Sequence, residues 1–262
     1  MTETTPATLT DKEFWESEYS WAGAKPPVRI DRDDLFDRGM AAQLTAHAPV
    51  DAGATVFEIG CAPAKWLAFY AETFGAAVTG VEYTAPGAEL SRANLAACGI
   101  DGVIWQDDFF AMDPEPFDLV LSFGFIEHFD DLDAVFARHV DFIAPGGRMA
   151  LGVPNFRGLN RAVQRLADPG YLALHNLDAM QPERYRTLAQ RHGLQLERLH
   201  YVGGFAPGLI RLARGGSVLH PRRAVPAAIT LAGRKLRGAT RGDDVNSRWF
   251  SSQLLGFYRR PT

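Results

Sequence analysis

From Thr55 to Val153 short apolar runs alternate with longer segments whose apolar residues recur every three or four positions. TVFEIG reads as a strand. Lys65–Phe74 reads as a helix closed by Gly75, because glycine takes the left-handed conformation that ends a helix without a steric penalty. AVTGVEY, GVIWQ, FDLVLSF and RMALGV read as four more strands. Helices are expected over Ala88–Cys98, closed by Gly99, and over Asp131–Ile143, with PGG as the turn into the fifth strand. FDLVLSF does not alternate polar and apolar residues; it is apolar on both faces, as a central parallel strand between two helical layers must be. Such alternation predicts an α/β, doubly wound sheet with ligands at the carboxyl ends of its strands.

The flanks follow other patterns. T-D-K-E at Thr10–Glu13 predicts a capping box opening a short helix that carries Phe14, Trp15 and Tyr19. Asp33–His47 predicts a second helix, with Leu35, Phe36, Met40 and Leu44 at helical spacing. Residues 1–50 are therefore expected to form a helical flap, aromatic and then Pro-rich up to Pro27, and residues 51–262 the main domain. After Pro154 the chain leaves the sheet. Residues 155–181 read as an inserted cap, Pro182–His192 as a helix with Pro in its first turn, and Leu194–Val202 as a sixth strand. Residues 203–247 form a Gly-, Pro- and Arg-rich insertion before SSQLLGFYRR closes the chain as a strand.

Composition narrows the function. With 262 residues, 47% of them hydrophobic, the chain can bury a full core in one domain with appendages. A net charge of −4 excludes a polycation that coats nucleic acid, so no specific nucleic-acid partner is expected. Two cysteines, Cys61 and Cys98, cannot staple a fold of this size and suit a reducing, cytoplasmic setting. MTETTPATLT lacks the basic and apolar regions of a signal peptide, and no apolar run approaches the ~20 residues of a membrane span.

Three carboxylates fall at strand ends: Glu58, Glu82 and Asp108. An acid at the end of the second strand can accept both hydroxyls of a ribose. Asp108 can accept from an adenine amino group while Phe109 covers the ring. A pyrophosphate site would want three glycines in the first loop, and FEIGCAPAKWL has one, with Ala62 and Ala64 where later glycines would stand. A positively charged nucleoside without phosphates suits these acids better. E-I-G-C-A-P-A, V-E-Y, Q-D-D-F-F, F-D-L-V-L-S-F-G-F-I-E-H-F-D-D and A-P-G-G-R-M, in that order over residues 50–155, resemble the motifs of class I S-adenosylmethionine-dependent methyltransferases. The resemblance implies a Rossmann-like sheet of seven strands with the last antiparallel, and S-adenosylmethionine as cofactor. It implies cofactor contacts at Glu58, Gly60, Cys61, Ala62, Glu82, Tyr83, Asp108, Phe109, Ser122 and Phe123, with Cys61 as small filler rather than nucleophile.

Methyl transfer from a sulfonium is an in-line displacement, so the protein's main task is alignment. A hydroxyl acceptor needs a base as well. The family's nucleobase and amide enzymes carry Asn or Asp followed by Pro-Pro-aromatic after the fourth strand; Ser122-Phe-Gly-Phe departs from that and points to oxygen of a small or glycan-like molecule, with N- or C-methylation as the alternative. His128 and His175 are the candidate bases, against readings in which His128 caps a helix and His175 pins the cap. His139, on the apolar face of its helix, reads as a core residue. Tyr19, Trp21, Phe125, Asn155, Arg157 and Asn176 are candidates for substrate contact. Some resembling enzymes bind a metal through the Glu-His pair and a Glu three residues earlier; that position is Gly124 here, so no metal is expected. Outside this reading stand a nicotinamide-dependent oxidoreductase, which the missing glycines disfavour, and a silent cofactor-binding subunit, which should have lost its acids.

Residues 198–242 contain no Asp or Glu but carry Arg198, Arg211, Arg214, Arg222, Arg223, Arg234, Lys235, Arg237 and Arg241. AVPAAITLAGRKLRG would form a basic amphipathic helix. It could grip an anionic group on the substrate, rest on an acidic membrane surface or dock an acidic partner; its alternative is a solvated insertion. The first reading expects the double change Arg222→Glu, Arg223→Glu to raise KM with little change in kcat, and added salt to do the same to the parent by screening. Capture by anionic but not neutral vesicles would favour the membrane instead.

Overall fold

The computed structural model describes residues 6–21, 25–204, 206–212 and 245–262, with isolated residues between 224 and 232. Strands β1 (Thr55–Ile59), β2 (Ala77–Val81), β3 (Val103–Trp105), β4 (Phe117–Phe123), β5 (Ile143–Pro154), β6 (Gln195–Val202) and β7 (Gln253–Arg259) form one sheet. Their order is β3-β2-β1-β4-β5-β7-β6; the first five run parallel, and β7 lies antiparallel between β5 and β6. The predicted doubly wound sheet with an antiparallel last strand is what forms.

Alternate residues of each strand feed two separate cores, which is why the strands read as continuous apolar runs. Phe57, Ile59, Val120, Leu151 and Val153 belong to one, with Val135 and Phe136 of α5 (Leu132–Asp141) and Tyr185 of α8 (Pro182–Arg191). Val56, Leu119, Leu121 and Phe257 belong to the other, with Met40 and Leu44 of α2 (Leu35–His47), Leu67 and Tyr70 of α3 (Lys65–Phe74) and Leu95 of α4 (Ala85–Cys98). Gly80 on β2 lies where any Cβ would come within 2.6 Å of Cys61 Sγ and 2.9 Å of Leu67 Cδ1, so only glycine lets α3 close on the strand.

Several boundaries differ from the sequence reading. The first helix, α1 (Lys12–Trp21), is opened by Asp11, whose carboxylate accepts from Phe14 N at 2.8 Å; Thr10 accepts from the Trp15 indole instead. Helix α4 begins three residues early because Thr84 caps it, accepting from Gly87 N. Helix α5 stops at Asp141, and Ile143 already pairs with Phe117, so the PGG turn lies inside an irregular β5 rather than before it. The region 155–181 folds as α6 (Gly158–Ala167), α7 (Pro169–Ala173) and a 3-10 turn at Leu177–Met180. Residues 213–223 and 233–244, most of the basic insertion, lie outside the described residues, so the expected amphipathic helix does too. Arg211, a described arginine of this segment, pairs with Glu18 at 2.6 Å and lies over the Tyr171 ring, tying α1 to the cap.

Phe57 is fully buried, with its ring stacked 4.7 Å from Phe117 and 5.2 Å from Phe142. Phe57→Ala is expected to cost about 3–5 kcal/mol, read as a fall in the urea midpoint at unchanged m.

Candidate functional site

Where β1, β2 and β4 end, a cavity of about 570 Å³ opens. Gly60 and Ala62 line it after β1, Glu82 and Tyr83 after β2, Asp108 and Phe109 after β3, and Phe123, Gly124 and Phe125 at β4. Its roof is the N-terminal segment: Thr8 and Phe129 form an antiparallel bridge, Leu9 N donates to His128 O, and Lys12 and Trp15 of α1 face the opening.

The first loop keeps its bend without the usual glycines. Gly60 has φ +65°, and the N–H groups of Gly60 and Cys61 donate to Val81 O. A Cβ on Gly60 would come within 3.1 Å of the Phe125 ring, so the glycine is needed for that close approach. Ala64 takes φ +62°, the left-handed region where a glycine would sit without strain. Ala64 also has no side chain with which to cap α3. The cap comes from below: the Glu58 carboxylate accepts from Leu67 N, and Lys65 adds its charge. Burial still pushes Glu58 up to about 8. Glu58 thus supports the loop from beneath and does not line the cavity, contrary to the sequence reading, because even-numbered positions of β1 face α3.

Cys61 and Ser122 are corrected in the same way. Cys61 is buried with its thiol 3.9 Å from Ser91 Oγ, and burial together with the Glu58 and Glu82 charges raises its pKa, which leaves an inert filler. Ser122 faces the core, 3.0 Å from Nε2 of His139, whose Nδ1 lies 2.7 Å from Val135 O. His139 is a core histidine, held down to about 4 by burial.

Glu82 does reach the cavity. Its Oε1 accepts from both Thr84 N (2.9 Å) and Thr84 Oγ1 (2.6 Å), which fixes the carboxylate. A Cβ at Gly87 would come within 2.8 Å of Glu82 Cγ, so that glycine makes room for it. Asp108 accepts from Phe110 N at 3.0 Å, and Arg138 donates to Phe109 O, holding the segment beside the cavity. These residues fit a cationic nucleoside. They do not fit a pyrophosphate: α3 is already capped by a carboxylate, its Lys65 is paired with Asp37 at 2.5 Å, and the adjacent wall is acidic.

His128 also lines the cavity, with the Trp15 ring edge-on at 5.0 Å. Its Nδ1 lies 2.9 Å from Leu174 O; a carbonyl only accepts, so Nδ1 carries the proton and Nε2 the lone pair. His175 sits behind it, ring centroids 4.9 Å apart, with Nδ1 2.9 Å from Tyr171 O; it does not line the cavity. Burial, then His175, holds His128 down to about 4, and burial does the same to His175. Glu127, buried beside them, is pushed up to about 8.

Of the expected substrate contacts, Phe125 lines the cavity. Asn155 does not: its amide donates to Ser251 O and Arg248 O, fastening the approach to β7. Asn176 caps the 3-10 turn and donates to Phe129 O and Asp130 O, bracing the segment after His128. Arg157 lines a separate hollow of about 320 Å³ with Arg161, Arg248 and Trp249. The side chains of Tyr19 and Trp21 lie outside the described residues. Sequence reasoning did not name Thr8, Trp15, Phe110 and Phe129 as wall residues; Trp15 carried a signal in the aromatic flap, and Phe110 and Phe129 in the motifs Q-D-D-F-F and F-I-E-H-F-D-D, whereas Thr8 carried none. No helix among the described residues is long and apolar enough to cross a membrane.

Residues 32–199 match the family described as a methyltransferase domain. Methyltransferase GfsG of Streptomyces halstedii is 27% identical over 174 residues, 64% of this chain and 63% of the relative, so the match spans less than two thirds of that protein. Trans-aconitate 2-methyltransferase of Methylobacterium radiotolerans is 25% identical, over 72% of this chain and 70% of the relative. Among solved structures, the [4+2]-cyclase SpnF has a similar fold, with a TM-score of 0.64 at 12% identity over 99% of this chain and 98% of that one.

Glu82→Ala is expected to weaken binding of S-adenosylhomocysteine, the demethylated cofactor, by about 1.5–3 kcal/mol, the worth of a charged hydrogen bond. Calorimetry should show 1:1 binding to the parent and no heat with NAD; the reverse pattern would overturn the assignment.

Proposed function

We infer the reaction from one premise: the chain belongs to the methyltransferase-domain family. The function is S-adenosylmethionine-dependent methyl transfer to a small or glycan-like acceptor, at a hydroxyl oxygen. The observation that carries this reading is one cavity lined both by braced acids and by a neutral imidazole. The bound cofactor supplies the methyl group as a sulfonium electrophile. Glu82 holds ribose hydroxyls, Asp108 and Phe109 take the adenine, and Gly60 and Ala62 permit close approach of backbone. Trp15, Phe110, Phe125 and Phe129 give the remaining wall an aromatic surface that excludes water and favours an acceptor with an apolar body.

A hydroxyl must lose its proton as it is methylated. His128 is the group on the acceptor side with a free lone pair, and its Nδ1–H is anchored, so Nε2 is oriented to receive that proton. The role of His175 is to back His128, not to touch the acceptor. The relative named for trans-aconitate favours a small acceptor. N- or C-methylation is the second reading, favoured if the acceptor needs no base. A silent binding subunit is disfavoured because Glu82 and Asp108 are intact and braced.

His128→Gln should bind cofactor as the parent does and lose kcat by about 10²-fold or more, measured with an acceptor found by a product-mass screen. Undiminished turnover in both His128→Gln and His175→Gln would replace this reading with an amine or an already ionised oxygen.

A further inference from the structure

We propose that Glu127, His128 and His175 form a binding site for a divalent first-row transition ion in the cavity wall. One donor atom from each side chain lies within 4.8 Å of the other two, and all three side chains are buried. Backbone sets both tautomers. Nδ1 of His128 faces Leu174 O and Nδ1 of His175 faces Tyr171 O, each at 2.9 Å, so each ring keeps its proton there and each Nε2 presents a lone pair. An imidazole whose other N–H is tied to a backbone carbonyl is the arrangement that orients metal-binding histidines. Glu127 adds the third donor. Its Oε1 lies 3.7 Å from His128 Nε2, and its Oε2 is buried without a hydrogen-bond partner. A buried carboxylate oxygen in that state costs free energy unless a cation meets it.

The sequence reading excluded a metal because Gly124 replaces the acid that some resembling enzymes use. The fold supplies a different third donor, His175, carried in by the cap between β5 and β6. Gly124 then has another consequence. A Cβ there would stand 3.7 Å from Glu127 Oε1, and Gly124 itself lines the cavity, so that approach to the site is bare. An ion held by Glu127, His128 and His175 keeps open positions there. Two imidazoles and a carboxylate suit Zn(II), Fe(II), Mn(II) or Co(II), rather than Mg(II) or Ca(II), which favour oxygen alone. An acceptor oxygen bound to such an ion is acidified by it. With the lone pair of His128 committed to the ion, the proton of the acidified hydroxyl would pass to solvent water rather than to His128. The proposal concerns the same wall as the methyl-transfer reading but does not rest on it, because ion uptake is measured without an acceptor.

The full chain is stripped with EDTA, desalted and titrated with Co(II), followed by visible absorption and by metal content after gel filtration. One Co(II) per chain is expected, displaced by Zn(II) and not by excess Mg(II). Glu127→Gln and His175→Gln should each weaken uptake by at least about tenfold, while calorimetry shows S-adenosylhomocysteine binding unchanged and so an intact fold. X-ray absorption of the Zn(II)-loaded parent gives a readout that needs no variant, and should show two imidazoles and a light oxygen donor. Absence of stoichiometric uptake, a shell without imidazole, or uptake equal in the parent and both variants (an adventitious surface ion only) overturns the proposal.

Discussion

Parallel strands covered by helices on both faces can carry polar groups only where they end. In this chain that constraint places the acids and glycines of the cavity at strand ends. Val56, Phe57, Leu119 and Val120 are fully buried, so β1 and β4 offer no polar side chain along their middle that could reach a ligand. At the carboxyl edge the chain must turn, and the turns bring Gly60, Glu82, Asp108 and Phe125 to one cavity. The same constraint explains the exception. Glu58 is the last polar residue inside β1, it faces the helical layer, and it is tolerated there because the exposed N–H groups of α3 need an acceptor. A carboxylate and a helix start that lacks a capping side chain satisfy each other.

The fold was legible in the sequence because its signals are local: strand–helix alternation, glycines at helix ends and a central strand with no polar face. The cavity wall from Glu82 to Phe109 was legible for the same reason, since strand ends follow from strand positions. Glu58, Cys61 and Ser122 were misplaced by one step of the same logic. Adjacent residues at a strand end point to opposite faces, and a motif does not say which residue looks up. Asn155 and Asn176 were misread differently. Each sits near the site in sequence, but an amide beside unpaired carbonyls is drawn to them, and both became braces. The roof and the His128–His175 contact depend on pairings across 120 and 47 residues, which no periodicity records.

The polar groups at the cavity fall into two environments. Where the proposed function seats the cofactor, Glu82 and Asp108 accept hydrogen bonds from neighbouring N–H or hydroxyl groups, which hold both carboxylates in place. His128 lines the same cavity with Glu127 and His175 packed behind it, and burial shifts all three toward their neutral forms. Under the proposed function a cationic sulfonium would be drawn to the acids, while the buried cluster stays uncharged until something arrives to be charged: a proton leaving the acceptor, or a cation.

The fold by itself does not choose the reaction, as its similarity to a [4+2]-cyclase makes plain. What separates one chemistry from another on this scaffold is the wall opposite the cofactor. Here that wall is not built from the sheet. Trp15 comes from the N-terminal helix, Phe129 is held by a bridge to Thr8, and His175 arrives with the cap, which Arg211 and Glu18 link back to the helix. Two segments outside the strand–helix alternation, the flap and the cap, thus meet at His128, in the stretch that follows β4. Under the proposed function the sheet fixes where a methyl group is presented, and these appended segments shape the space for what receives it. On the same reading, changes in the cap should alter acceptor choice in turnover assays while leaving calorimetric cofactor affinity nearly untouched, because the cap supplies no residue to the cavity lining, whereas Lys12 of the flap lies over the Tyr83 ring beside Glu82.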